Sequence, residues 1–302
     1  MRHKKGEKVN GWLIVDKPRD MGSTQVVNFT RRLFNAQKNG HCGTLDPFAT
    51  GVLPIAFGEA TKLIPYVTDG DKEYEFVLKF GCETDSGDTE GQVIKSGGKI
   101  PTIDEIKQIL PDFIGEITQI PPAYSAIKIN GQRAYDLARR GEDVEMPSRQ
   151  VKIYQLELLG FSDDKAKFRV ECSKGTYIRT LGRDIARKLG TYGYLEELRR
   201  TKCGHFDLSQ KILLENIKNL EYGKGLEKVL LPVITCLRDI AVIAVGEAEA
   251  AKLRQGQGLS PKVFPVAELC GQEAAMTFDG ELVAIVRIEE RKISPVRVFN
   301  FN

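Results

Sequence analysis

Two strand-like runs near the middle of the chain constrain the fold more than any other feature. Residues 151–161 and 165–172 form two long predicted strands, and only the polar turn Ser162-Asp163-Asp164 separates them. So short a connection joins antiparallel neighbours, because a parallel pair needs a crossover of about a dozen residues or more. Residues 74–80 add a strand whose alternation indicates one buried face. Because helical stretches interrupt these strands irregularly, we predict an α+β fold with a mixed, largely antiparallel sheet and flanking helices.

Three helices are predicted from their end signals. Ser23 is placed to cap a helix with apolar residues along one side. Thr102 and Glu105 have the spacing of a capping box ahead of a second helix. A third helix is predicted over residues 176–189, with Gly190 as its C-terminal stop.

The length of 302 residues exceeds the usual size of one domain, which favours a large domain followed by a smaller one. A glycine-rich stretch at 223–225 and Pro232 mark a boundary. Beyond it lie short β-rich pieces at 240–245, 283–288 and 296–301. We therefore predict a first domain over residues 1–236 and a compact, β-barrel-like module over residues 237–302.

Charge and cysteine content limit the class of protein. The 44 basic and 41 acidic residues leave a net charge of +3, which excludes a histone-like polycation but permits local basic faces. Six scattered cysteines without a CxxC pair are typical of reduced thiols in the cytoplasm. The apolar run at residues 12–15 is too short for a signal peptide or a membrane helix. A cytoplasmic protein with no membrane association is expected.

One loop stands out when motifs for chemistry are sought. The chain has no HExxH, Walker A, GxSxG or GxGxxG pattern, so we expect no metal or other cofactor. In residues 40–54, three glycines and two prolines surround one acid, Asp46. Pro47 restricts Asp46 to extended conformations, and a carboxylate held on a rigid loop suits a nucleophile. The same pattern also fits a turn in which the aspartate caps backbone groups.

Residues 40–62 (GHCGTLDPFATGVLPIAFGEATK) resemble the catalytic motif of the TruB family of tRNA pseudouridine-55 synthases. Three further motifs of that family are matched in order at 13–24, 71–81 and 172–190. The resemblance covers residues 10–230 well and extends loosely to the tail, where residues 279–288 and 295–299 resemble a PUA domain. It implies a pseudouridine-synthase fold followed by a PUA-like RNA-binding domain.

The resemblance also implies an activity and a partner. Members of this family isomerise uridine to pseudouridine at position 55 in the T-loop of tRNA, after flipping the base. No cofactor is implied, which agrees with the motif search. The expected partner is the T-arm of tRNA, and a monomer with no obligatory protein partner is expected.

Seven residues are implied as site residues. Asp46, Tyr74 and Arg179 match catalytic positions of the family. Asp46 would be the carboxylate that acts at the sugar or base, and Arg179 would pair with it. Tyr74 would stack on uracil and could take its C5 proton. Implied substrate-binding residues are His41, Tyr177, Leu198 and Lys17. The residues alone also allow structural roles. Tyr74 and Leu198 fit ordinary core positions, His41 fits an ordinary loop position, and Arg179 fits the solvated face of a helix.

Residues 124–146 resemble an RNA-clamping insertion of the family. Its basic residues predict phosphate contacts, namely Lys128, Arg133, Arg139 and Arg140. Three alternatives remain: the catalytic subunit of an RNA-guided H/ACA particle, a non-catalytic tRNA-folding protein, and an RNA glycosidase. Activity of the purified chain on bare tRNA would separate the first two from a stand-alone synthase, and an abasic product would identify the third.

Overall fold

A computed structural model describes residues 6–125, 127–129, 131–140, 142, 145–218 and 225–301 of the chain. For five residues it describes the backbone and not the side chain, namely Lys128, Arg133, Asp136, Ala138 and Arg139. No helix within the described ranges is long and apolar enough to cross a membrane.

The elements of the first part of the chain are β1 Gly11–Lys17, α1 Ser23–Leu33, β2 Asn39–His41, β3 Thr50–Phe57, α2 Ile64–Thr68, β4 Lys72–Phe80, β5 Cys82–Thr84, β6 Val93–Ser96, α3 Ile103–Ile109, β7 Gly115–Gln119, β8 Lys128–Ile129, β9 Gln132–Arg133 and α4 Ala134–Arg139. Those that follow are β10 Arg149–Ser162, β11 Lys165–Cys172, α5 Ile178–Lys188, β12 Gly193–Cys203, β13 Phe206–Asp207, β14 Ile212–Leu213, α6 Leu214–Lys218, β15 Ala241–Ala244, α7 Glu247–Arg254, β16 Glu273–Phe278, β17 Glu281–Ile288 and β18 Ile293–Val298.

Within the described residues, ten strands form one large sheet. Its main path runs in the order β14-β1-β3-β12-β4-β11-β10-β7, with β2 paired to β3 and β13 to β12. The pairs β1–β14 and β3–β12 are parallel, and the others are antiparallel. The predicted hairpin is β10–β11, and the strand predicted over residues 74–80 is β4, between β11 and β12. The expected mixed, largely antiparallel sheet is confirmed.

The helix starts show one correct and one wrong cap. α3 follows the predicted capping box, in which the Thr102 hydroxyl accepts from the Glu105 N–H. α1 begins at Ser23, but its N-cap is Gly22, whose N–H donates to the Gln25 side chain. The Ser23 cap is therefore wrong, because the Ser23 hydroxyl bonds to the loop before β3 instead.

A second, four-stranded sheet lies at the C-terminal end, in the order β15-β16-β17-β18. The β15–β16 pair is parallel and the other two pairs are antiparallel. The predicted pieces at 240–245 and 283–288 correspond to β15 and β17. The third predicted piece, at 296–301, corresponds to β18, which begins earlier, at Ile293. β16 and α7 are not predicted by the sequence patterns. The expected fold class, with a small C-terminal β-rich module, is confirmed.

The two sheets share a hydrophobic cluster. Trp12 of β1 is fully buried, its ring centroid lies 5.2 Å from that of Phe206, and its Nε1–H donates to the Val233 carbonyl at 2.9 Å. Ile285 and Phe299 from the C-terminal region belong to the same cluster. The C-terminal sheet therefore completes a core that begins on the first strand of the large sheet.

Candidate active site

Asp46 lies on the loop between β2 and β3, and buried side chains fix the backbone on both sides of it. The Ser23 hydroxyl donates to the Leu45 carbonyl and accepts from the Leu45 N–H, both at 2.9 Å. The Lys17 ammonium donates to the Pro47 carbonyl at 3.0 Å. Ser23 is 3% exposed and Lys17 is 0% exposed. These contacts give the Asp46 carboxylate little freedom to move, as a positioned reactive group requires.

Arg179 joins two carboxylates. Its Nε lies 3.0 Å from Asp46 Oδ2, and its Nη1 lies 3.3 Å from Asp88 Oδ2. The same guanidinium donates to the carbonyls of Ser86 and Tyr124, each at 2.8 Å. Arg179 is 5% exposed. Ser86, Tyr124 and Asp88 together fix the orientation of the planar guanidinium, and that orientation places Nε at ion-pair distance from Asp46.

The charges around Asp46 act in opposite directions. Burial raises the pKa of Asp46 above its ordinary value, and the adjacent guanidinium of Arg179 opposes that rise. Burial also lowers the pKa of Lys17 to about 8, although the nearby Asp46 carboxylate counteracts it. Arg179 thus limits the rise in the pKa of Asp46, whose side chain is 34% exposed, and favours the ionised carboxylate.

Asp46 and Arg179 border a cavity of about 670 Å³. Tyr74 on β4, Tyr177 immediately before α5 and Leu198 on β12 line the same cavity. Leu198 is 6% exposed and therefore also belongs to the core. Five of the seven predicted site residues thus meet around one space, which is of the size that small organic groups occupy in proteins.

The backbone of Tyr177 is held at both of its polar groups. The Tyr177 N–H donates to Gln119 Oε1 at 3.0 Å, and Gln119 Nε2 donates to the Tyr177 carbonyl at 3.3 Å. Gln119 is fully buried. On the other side, the guanidinium of Arg149 lies 5.4 Å from the centre of the Tyr177 ring. The ring is therefore fixed beside the residues that begin α5, among them Arg179.

Two predicted substrate-binding residues lie outside the lining of this cavity. His41 lies on β2 and pairs with Ile55, and burial, then the charge of Arg200, lower its pKa. Lys17 lies behind the Asp46 loop. Its ammonium donates to three backbone carbonyls, those of Pro18, Met21 and Pro47. With its donors used inside the protein, Lys17 supports the loop.

The predicted RNA-clamping insertion contains the β8–β9 hairpin and α4. The side chains of Lys128, Arg133 and Arg139 lie outside the described residues. Arg140 is described and exposed, and its guanidinium bonds to Glu142 Oε1 at 2.6 Å and to Gln132 Oε1 at 2.8 Å. Its role in RNA binding stays a prediction.

Sequence reasoning missed three buried residues of the site: Asp88, Gln119 and Arg200. Asp88 is one of three acids in the run 85–90, and nothing local distinguishes the buried one. Arg200 follows Leu198 by two positions on a strand, so the period of two could have placed it on the same side. Gln119 at the end of a short strand gives no such signal.

The fold matches that of solved structures that contain Cbf5. A structure titled "Crystal Structure of a Cbf5-Nop10-Gar1 Complex" superimposes with a TM-score of 0.73 at 26% identity, covering 97% of this chain and 85% of the other. A second, of a Nop10-Cbf5 complex, gives 0.71 at 24% identity, with 96% and 86% covered. The class of protein follows from the family models, which describe pseudouridylate synthases over residues 31–238.

Sequence comparison assigns the family. The N-terminal domain of TruB family pseudouridylate synthases matches residues 31–178, the tRNA pseudouridylate synthase B C-terminal domain matches 179–238, and the tRNA pseudouridine synthase II C-terminal domain matches 241–300. A Caulobacter vibrioides protein named tRNA pseudouridine synthase B is 47% identical over 99% of this chain and 98% of that protein. One of the same name from Sinorhizobium medicae is 45% identical, with the same coverage. The chain belongs to the TruB family.

Proposed function

We propose that this chain isomerises uridine to pseudouridine in tRNA, at position 55 of the T-loop. The observation that carries the proposal is the Asp46 carboxylate, held 3.0 Å from the buried Arg179 at the edge of a cavity lined by two tyrosines. The names of the relatives at 45–47% identity support tRNA as the RNA acted on.

The isomerisation breaks the bond from N1 of uracil to C1′ of ribose and forms a bond from C5 to C1′. One proton is lost from C5 and one is gained at N1, so no oxidant, reductant or leaving group is involved. The ionised Asp46 would act where positive charge develops at C1′, or bond to the sugar or base directly. Arg179 keeps that carboxylate charged while water is excluded.

Tyr74 and Tyr177 would hold the uracil ring, since aromatic faces stack on a flipped base. We assign to the Tyr74 oxygen the receipt of the C5 proton while its own proton passes to water. Water returns one proton to N1, so the phenol stays neutral and the protons balance. Leu198 supplies an apolar contact for the ring. The cavity is large enough to accept the base and to let it turn before the new bond forms.

Basic side chains at the mouth of the cavity suit an RNA backbone. Arg149 and Lys174 both border the cavity, and 60% of the Lys174 side chain is exposed. Such residues contribute phosphate contacts that weaken with salt. We assign them to the backbone beside the flipped nucleotide, and the insertion at 124–146 to the T-arm farther away.

The remaining expectations are part of the same proposal. We place the domain boundary at residues 236–237, because the second sheet begins at Ala241, and we assign the C-terminal module to RNA binding. The chain is proposed to work as a cytoplasmic monomer. The RNA-guided alternative is disfavoured by the 47% identity, over 99% of this chain, to a relative named tRNA pseudouridine synthase B, compared with 24–26% identity to the Cbf5 structures.

One assay tests the proposal. The purified chain is incubated with an unmodified tRNA transcript, and nuclease digests are analysed for pseudouridine, with a transcript carrying cytidine at position 55 as the control. Pseudouridine in the first transcript alone is the expected result. An abasic site would identify a glycosidase. Tight binding without product would identify a tRNA-folding protein, and activity that requires added proteins would identify a subunit of an RNA-guided particle.

A further inference from the structure

Arg200 is a fully buried cation at the centre of the large sheet. It is 1% exposed, yet it borders the cavity. Among the described residues, no carboxylate pairs with it. A buried guanidinium without a counterion is costly unless its donors are used in hydrogen bonds, so its partners indicate its role.

One set of partners is the backbone of the loop that carries Asp46. Arg200 Nε donates to the Val52 carbonyl at 2.8 Å, and Nη2 donates to the Gly43 carbonyl at 3.1 Å. Gly43 precedes Asp46 by three residues, and Val52 follows it by six. The guanidinium therefore joins the two ends of the loop.

The other partner is Tyr74. Arg200 lies on β12, where it pairs with Gly51 of β3 on one side and with Tyr74 of β4 on the other. Gly51 has φ +102°, and a Cβ there would lie 2.1 Å from the Arg200 carbonyl oxygen, so only glycine permits this close approach. Arg200 and Tyr74 both line the cavity, and the Arg200 guanidinium lies close enough to the Tyr74 hydroxyl for each group to act on the pKa of the other.

We propose that Arg200 is a positioning residue that fixes the Tyr74 hydroxyl relative to the Asp46 loop, so that the two groups acting at opposite ends of the rearrangement keep one spacing. The inference rests on the proposed function and extends it. No role for Arg200 follows from the motifs considered above.

The donor chemistry of arginine makes this role specific. A guanidinium has donors and no acceptor, so the oxygen of the Tyr74 hydroxyl, and not its hydrogen, faces it. The hydroxyl hydrogen and the other lone pair then have a restricted direction. Burial raises the pKa of Tyr74, and the positive charge of Arg200 opposes that rise. Arg200 thus sets both the direction and the electrostatic environment of the hydroxyl that exchanges a proton with C5.

A double-mutant cycle separates this role from bracing of the loop alone. Arg200→Met, Tyr74→Phe and the double variant are compared in single-turnover reactions at saturating enzyme with unmodified tRNA. We expect Arg200→Met to slow the reaction about a hundredfold, the range of a proton-transfer contribution. In the Tyr74→Phe background the same change should slow it by less than about threefold, because its target is gone.

Two further variants serve as controls. Arg199→Met alters the adjacent residue, whose guanidinium pairs with Asp16 at 2.7 Å, and should leave the cycle unaffected. Arg200→Lys keeps the positive charge but lacks the several donors of the guanidinium. It replaces Arg200→Met in the double-mutant cycle if Arg200→Met does not fold. Replacing the C5 hydrogen by deuterium should slow Arg200→Met by a larger factor than the parent, since proton removal becomes the slower step.

Equal losses in both backgrounds, with no added isotope effect, would show a brace for the loop and overturn the inference. Failure of both Arg200 variants to fold would likewise assign Arg200 to the fold and not to Tyr74. If the parent chain forms no pseudouridine, the proposed function itself fails, and that result is distinct from the other two.

Discussion

Asp88 Oδ2 lies 3.3 Å from Arg179 Nη1, and Asp88 is only 2% exposed. Its other carboxylate oxygen accepts from the Ser86 hydroxyl at 2.6 Å and from the Glu90 N–H at 2.9 Å. A carboxylate held this way is a fixed counterion for Arg179. Arg179 therefore has a buried counterion besides Asp46, and Asp88 helps to hold its Nε beside Asp46.

We expect Asp88→Asn to lower turnover at least about tenfold, corresponding to about 1.4 kcal/mol. The amide keeps the shape but removes the charge that orients Arg179, so the loss should lie mainly in kcat. Single-turnover kinetics on unmodified tRNA would measure it. Thr89→Ala, at the exposed position next to Asp88, is the control and should leave kcat unchanged. Parent-like turnover of Asp88→Asn would contradict the role given to this counterion.

Asp46→Asn keeps the side-chain shape and removes the reactive charge. Turnover should be lost almost completely, while tRNA binding stays within about tenfold of the parent, or about 1.4 kcal/mol. Filter binding and product analysis on the same preparation test both parts. Substantial remaining activity would show that Asp46 is not the reactive carboxylate.

The pKa of Asp46 leads to opposite pH effects on activity and stability. Burial raises this pKa above its ordinary value of 3.8, so activity should fall on acidification at a higher pH than an ordinary aspartate would cause. A carboxyl group whose pKa is raised by folding favours the fold when protonated, and this contribution is lost as pH rises through the raised pKa. Asp46→Asn should therefore be at least as stable as the parent at neutral pH, with the difference disappearing on acidification. Melting temperatures of both chains across this range would show it, and a variant less stable at neutral pH would contradict the raised pKa.

The features that the sequence predicted well are those with a local cause. The β10–β11 hairpin follows from two strand-like runs and the short polar turn between them, in which Asp163 adopts φ +54°. α5 ends before Gly190, whose φ of +72° suits a helix terminus. β16 was missed because its buried residues include Ala274 and Ala275, which have little strand preference, so pairing with β17 and not propensity decides the strand.

In the site, too, the residues with a local signal were predicted and those placed by tertiary contacts were not. The Asp46 loop could be recognised because glycines and prolines make it unusual, and the resemblance supplied Tyr74 and Arg179. Asp88 and Gln119 could not be recognised, since each acts through a partner more than 50 residues away in the chain. Only the tertiary arrangement selects one acid from its neighbours in the run 85–90.

Gln119 provides a test of how Tyr177 is positioned. Gln119→Ala removes two hydrogen bonds to the Tyr177 backbone, and we expect about 2 kcal/mol of stability to be lost, at about 1 kcal/mol for each. KM should rise because the stacking ring loses its support, and kcat should fall because Arg179 lies two residues on. Thr118→Ala, at an exposed position on the same strand, is the control in thermal melts and steady-state kinetics. A Gln119→Ala chain that is less stable but kinetically normal would limit Gln119 to the fold.

The shared cluster predicts that the C-terminal sheet stabilises the whole chain. Phe299 is 1% exposed, and Lys62, just after β3, lies 5.5 Å from the centre of its ring. Phe299→Ala should cost about 3–5 kcal/mol, the range for a buried phenylalanine, because the cavity opens onto residues of the large sheet. Val296 lies on β18, three residues before Phe299, and is 37% exposed; Val296→Ala should change the free energy of unfolding by less than about 1 kcal/mol. Denaturant unfolding of both variants, followed by the fluorescence of Trp12, the only tryptophan, reports on the shared core directly.

If the chain unfolds as one unit, Phe299→Ala should shift the Trp12 transition to lower denaturant while kcat on tRNA in buffer stays like that of the parent. An unshifted Trp12 transition would show that the two sheets unfold independently, and the C-terminal module would then be a separable attachment to the catalytic domain.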